Sequence, residues 1–176
     1  MSASGHRCIA RNWWPAARRD ALPLPARPVD MAGQRKGTSM NDDHTRRDAD
    51  DQPEFAIHIG ARLVSATPER VEFEMPVTQA LANRNGVLHG GAIMGLADNA
   101  GGTGTFLNLP EGKTTTTLES KTNFLRPIRL GDVARAVSLP LHIGRTTQIW
   151  QTTITRGDGK TAAIVTQTQV VIDWKD

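Results

Sequence analysis

Asp98 is the only charged side chain between His89 and Pro110. It sits in a run of small and apolar residues that reads His89-Gly90-Gly91-Ala92-Ile93-Met94-Gly95-Leu96-Ala97-Asp98-Asn99-Ala100. Gly90 to about Leu107 reads as one helix, stopped by Pro110-Glu111-Gly112. Its glycines weaken its intrinsic propensity, so packing has to hold it. A helix with no charged face must be enclosed by other elements, and a carboxylate enclosed with it costs several kcal/mol unless compensated. This one stretch therefore predicts an architecture and a site together.

The rest of the chain supplies the enclosure. Ala61–Ser65 and Arg70–Val77, with Val71, Phe73 and Met75 alternating, read as two strands joined at Thr67-Pro68-Glu69. Gln79–Leu88 is a loop. After the helix come Thr114–Leu125, then Asp132–Ile143 and Arg145–Thr155 flanking Gly144 as a hairpin, then Thr161–Ile172 after the turn at Arg156–Lys160. Pro140 inside the second of these requires a bulge or an edge position. The expected class is α+β, an antiparallel sheet of about six strands wrapped around one long central helix.

Residues 1–52 have little periodicity and are rich in Arg and Pro, and Ala21–Pro28 cannot be helix. They read as a disordered extension preceding a domain at 53–176. A transit peptide is one reading of the extension. The plainer reading is a disordered tail, or an extension upstream of a natural start at Met31 or Met40. Residues 1–39 hold seven Lys/Arg against two Asp/Glu, whereas residues 40–176 hold fourteen against sixteen. The basic charge thus belongs to the extension, and the near-neutral domain argues against a nucleic-acid partner. The single cysteine, Cys8, excludes an internal disulfide and a thiolate metal site, and fits a reducing cytoplasm. The apolar window at 86–109 is interrupted by Asp98 and Asn99, so a membrane span is not expected.

Asn83-x5-His89-Gly90-Gly91-x6-Asp98, followed by a Thr-rich strand and Asn123-Phe124-Leu125-Arg126-Pro127, resembles the hotdog-fold acyl-CoA thioesterases of the phenylacetate-pathway (PaaI-like) type. The resemblance covers roughly residues 55–173. It implies that Asp98 is the nucleophile or general base and that the Gly90 N–H forms the oxyanion hole. His89 and Asn83 would orient the thioester or the attacking water. A hydroxyl on the strand after the helix would hold the water. Aligning on Phe124 and Pro127 puts Thr117 there, with Thr115 and Thr116 close alternatives. The implied partner is an acyl-CoA substrate, with no separate cofactor, in a homodimer or a tetramer of chains.

The chemistry wants these residue types. Thioester hydrolysis needs a base or nucleophile and a stabiliser for the developing oxyanion. A helix N-terminus offers unpaired N–H groups and partial positive charge, and Gly90 and Gly91 let substrate approach the backbone closely. Gly90 and Asp98 are eight residues apart, about 12 Å along a helix. One carbonyl cannot lie ~3 Å from both. Two antiparallel helices side by side would bring Gly90 of one chain near Asp98 of the other, placing two sites at a two-fold interface.

Coenzyme A carries phosphates, and Arg126, Arg129 and Arg145, at strand ends or turns, are candidates for its cationic rim. His58 and His142 have no partners at recognisable spacing, and no metal site is expected. No phosphate-binding Gly-x4-Gly-Lys loop and no Gly-x-Ser-x-Gly elbow occur. Two other functions remain on the same fold. An enoyl-CoA hydratase would want an Asp-x4-His pattern, which is missing. A non-catalytic acyl-CoA sensor would want an appended DNA-binding unit, which residues 1–52 do not supply.

Overall fold

The computed structural model describes residues 52–173, so all of the expected disordered extension except its last residue, Gln52, lies outside the described residues. The elements in order are α1 (Glu54–His58), β1 (Arg62–Thr67), β2 (Arg70–Pro76), a 3-10 turn at Gln79–Leu81 and α2 (Gly90–Leu107). Then follow β3 (Lys113–Phe124), β4 (Val133–Ile143), β5 (Thr147–Thr155) and β6 (Thr161–Asp173). Six strands and one long helix match the architecture expected from the hydropathy pattern. The short α1 was not expected, because five residues carry no readable period.

All pairings are antiparallel, and the strand order is β1-β2-β4-β5-β6-β3. Both edges are single strands, β1 on one side and β3 on the other. Pro140 lies in β4, a central strand, and the register shifts between Pro140 and His142. A proline cannot donate to the ladder, so a bulge at this point is the remedy available to a central strand.

Helix α2 touches every strand of the sheet. Ile93, Leu96, Ala97 and Ala100 enter the core with Val71, Phe73, Met75, Ile154 and Val165. Two glycines set how near it comes. A Cβ on Gly104 would lie 2.6 Å from the Trp150 ring, and one on Gly101 would lie 2.4 Å from Gln167 Oε1. The backbone of α2 therefore rests directly on the two large side chains of β5 and β6 beneath it.

Enclosure is incomplete in the single chain, which corrects one expectation. Gly91, Met94, Asp98 and Phe106 are exposed, so α2 keeps one open face. Part of that face is covered from within: the Phe55 ring of α1 lies where a Cβ on Gly95 would be (2.9 Å), and Asn99 Nδ2 donates to Gln52 Oε1 at 2.9 Å. The sheet absorbs the apolar face of α2, and the opposite face leaves Met94 and Phe106 exposed beside Asp98. No helix among the described residues is long and apolar enough to cross a membrane.

Candidate active site

The loop before α2 is built to present the helix start. Asn83 Oδ1 accepts from the Asn85 and Val87 amides at 2.9 and 3.4 Å, an Asx turn that closes the loop on itself. The Asn83 side-chain oxygen is thus committed to the loop. Leu88 N–H donates to Ile128 O, which ties the loop to the segment after β3. His89 is the N-cap, and its Nδ1 accepts the Gly91 N–H at 2.9 Å. A capping acceptor on Nδ1 puts the ring proton of the neutral form on Nε2, which faces away from the helix.

The His89 carbonyl accepts from the Ala92 and Ile93 amides. The Gly90 N–H, first in the helix, has no acceptor among the described residues. The end of α2 therefore holds a free donor, with the positive end of the helix dipole behind it. The Phe124 ring lies over this position, 3.1 Å from where a Cβ on Gly90 would be. Any larger residue here would push into the ring.

Two turns along, Asp98 is exposed on the open face, not enclosed as the charge pattern suggested. It is nonetheless held. Thr117 Oγ1 donates to Asp98 Oδ1 at 3.0 Å, and Gln167 Nε2 donates to the same oxygen at 2.6 Å. Of the three candidate threonines, Thr117 is the one whose hydroxyl reaches the carboxylate. Thr115 donates instead to Val170 O at 3.0 Å. The register of β3 on β6 shifts between Thr117 and Glu119, leaving Leu118 as the extra residue. A bulge of this kind re-aims the side chains beside it.

Gln167 escaped the sequence reading, and so did Gln169, whose Nε2 donates to Thr117 Oγ1 at 3.0 Å. Both are buried on the helix-facing side of β6. The available signal was phase: Ala163 and Val165 share that face, so the two glutamines continue a buried row.

The structure brings Asp98 and Thr117 together, and separately His89, Gly90 and Gly91. It does not bring the two groups together within one chain. The arginines also divide. Arg126 and Arg129 lie at the helix-start end, where Arg126 Nη1 donates to Thr161 O at 2.8 Å and Arg129 bridges to Val87. Arg145 occupies the β4–β5 turn, whose neighbour Thr146 accepts from Val171 N–H, opposite the beginning of β3. That is the far end from Gly90 of the same chain. All three are exposed. Among the described residues no three His, Cys, Asp or Glu side chains gather where they could hold a metal.

Comparison with known proteins decides the family. The thioesterase superfamily model matches residues 85–163, a span that begins just before the His-Gly-Gly cap and includes Asp98 and Thr117. The solved structure of a thioesterase from Haemophilus influenzae is 33% identical and superposes with a TM-score of 0.65, covering 69% of this chain and 84% of that one. The chain belongs to the thioesterase superfamily. Within it the fold is the PaaI-like hotdog. The PaaI protein of the Escherichia coli phenylacetic acid degradation operon is 25% identical with a TM-score of 0.62, covering 66% of this chain and 83% of that one. A Streptococcus mutans protein bound to acetyl-CoA is 28% identical with a TM-score of 0.60, covering 66% of this chain and 91% of that one. Family membership makes this protein a thioester hydrolase.

Proposed function

We propose that the protein hydrolyses acyl-CoA thioesters to a free acid and coenzyme A at two sites shared across a homodimer. In each, Asp98 of one chain would face the Gly90 N–H of the other. The observation that carries this reading is the division of the site: a free helix-start amide and a held, exposed carboxylate stand on one helix about 12 Å apart. Neither can complete a thioester site alone. Antiparallel contact through the open face of α2 would bring one of each together, and acetyl-CoA bound to the Streptococcus mutans relative supports the substrate class.

The chemistry then runs as follows. Asp98 takes a proton from water as the water oxygen bonds to the thioester carbonyl carbon, or its own oxygen attacks that carbon to give an anhydride that water later opens. In both routes the carbonyl oxygen gains negative charge and would accept a hydrogen bond that the Gly90 N–H of the facing chain donates. The C–S bond breaks, and the coenzyme A thiolate leaves and is protonated. His89 Nε2–H and Thr117 would orient the thioester and the water. Arg126 and Arg129 stand at the helix-start end, where a phosphate-bearing leaving group would enter, and Arg145 would serve from the facing chain.

The test is release of free thiol from a panel of short, medium, long and aryl acyl-CoA esters. Wild type is expected to turn over at least one class, and Asp98→Asn to lose roughly 10²- to 10⁴-fold in kcat while keeping fold and dimer. A variant as fast as wild type would remove Asp98 from its role. No release from any ester would make the protein a binder, not a hydrolase.

A further inference from the structure

Three glutamines lie fully inside the sheet: Gln148, Gln167 and Gln169. An amide buried in an apolar sheet is retained at a cost unless its polar atoms find partners. Gln148 is accounted for by the core, because the Trp150 indole N–H donates to its Oε1 at 3.2 Å. Gln167 is different. Among the described residues its Oε1 is buried without a partner, pressed toward the Gly101 backbone, and the one hydrogen bond of its side chain is that which Nε2 donates to Asp98 Oδ1 at 2.6 Å. The reverse orientation would set oxygen against carboxylate oxygen, so the chemistry fixes the amide with its NH2 toward Asp98.

The second glutamine works one step further back. Gln169 Nε2 donates to Thr117 Oγ1 at 3.0 Å, so the hydroxyl oxygen serves here as an acceptor. The Thr117 proton then has two places to go: Asp98 Oδ1 at 3.0 Å or Gln169 Oε1 at 3.3 Å. The charged and nearer acceptor wins. Asp98 Oδ1 thus receives two donors, one from β6 and one from β3, while Oδ2 takes none among the described residues.

Resting on the proposed hydrolysis, we infer that Gln167 is a positioning residue for Asp98. Together with the Gln169–Thr117 pair, it anchors Oδ1 so that Oδ2 is the oxygen that meets water or the thioester carbon. The side chain of an exposed aspartate otherwise rotates among staggered wells. Two donors from two strands hold it in one, and the bulge at Leu118 and the bare Gly101 are the features that bring those strands within reach. Gln167 touches no substrate. It acts through Asp98.

Gln167→Met keeps length and removes the donor. Gln148→Met removes a buried glutamine whose side chain bonds Trp150 and neither Asp98 nor Thr117, and is the control. Expected for Gln167→Met is a kcat lower by about 100-fold, the scale of a misplaced reacting group, with KM within about twofold and little change in Tm. Gln148→Met is expected to lower Tm and leave kcat alone. If Gln167→Met does not accumulate as folded protein, Gln169→Met carries the test, with an expected loss of about tenfold in kcat at constant KM, the scale of one lost hydrogen bond. The inference fails if kcat of the variant tested stays within threefold of wild type, or if Gln148→Met loses as much kcat as Gln167→Met. Asp98→Asn separates the two ideas. Its retention of activity would overturn the hydrolytic reading itself, whereas an inactive Asp98→Asn beside an active Gln167→Met would overturn only the role given to Gln167.

Discussion

The two edges of the sheet carry the same device to different ends. In β1 the register shifts between Leu63 and Ser65, leaving Val64 as an extra residue that is 56% exposed. In β3 it shifts between Thr117 and Glu119, leaving Leu118, 62% exposed. A short, bulged edge is how a sheet avoids pairing with its neighbours, and β1, at six residues, fits that description. β3 has twelve residues, and Phe124 and Leu125 are exposed at its end. Its bulge lies beside Asp98. A bulge at an edge thus has two uses: to end pairing, or to aim a side chain while the rest of the strand stays available to a partner.

Charging the two bulges tests this difference most severely. Leu118→Asp is expected to give a monomer in sedimentation and to lose roughly 10²- to 10³-fold in turnover, since each site would lose its oxyanion donor. Val64→Asp is expected to leave both unchanged. Equal behaviour of the two variants would show that β3 is no more an interface than β1.

Thr117→Val sharpens the claim that the β3 bulge serves Asp98. Loss of one charge-assisted hydrogen bond corresponds to about 1.5–3 kcal/mol, or roughly 10- to 100-fold in kcat, measured by thiol release with the dimer intact. Thr115→Val, whose hydroxyl bonds a backbone carbonyl, should cost stability and not rate.

A smaller effect belongs to neither edge. Gly104→Val would drive new atoms into the Trp150 ring, and overpacking of this kind costs about 1–3 kcal/mol, read as a lower Tm. Unchanged Tm would mean that α2 can ride up on the sheet, and turnover should then fall as Asp98 moves away from Gln167.

The smallest effect is at the β5–β6 turn. Asp158 is held well below the usual carboxylate range, first by its hydrogen bond from Arg156 and then by the Lys160 amide. A lowered carboxyl stabilises the fold above its ordinary pKa and loses that contribution as pH falls through the folded value. Asp158→Asn should therefore differ slightly from wild type in Tm at neutral pH and converge with it in strong acid. The pair is exposed and screened, so a large neutral-pH difference would be unexpected.

Much of this was legible in the chain. Alternation in β2 and the neutral run in α2 located strands and helix, Pro140 forecast its bulge, and the spacing from Gly90 to Asp98 is why the two groups stand apart within one chain. Other features were hidden for physical reasons. In the second half of β6 the apolar residues Val170 and Ile172 occupy one phase and Gln167 and Gln169 the other, so hydropathy points the wrong row inward. The polar row finds its partners inside, Gln167 at Asp98 and Gln169 at Thr117. Likewise, the lack of charge around Asp98 suggested full enclosure. An open face that pairs neutral residues such as Gly91, Met94 and Phe106 with one carboxylate has the same composition.

Where the chain joins the described fold has a practical consequence. Gln52 is bonded to Asn99, the residue after Asp98, and Phe55 fills the space over Gly95. Trimming past Gln52 to obtain a tidier protein would loosen the helical turn that carries the carboxylate. Fusions and truncations at this end should be scored by turnover as well as by yield.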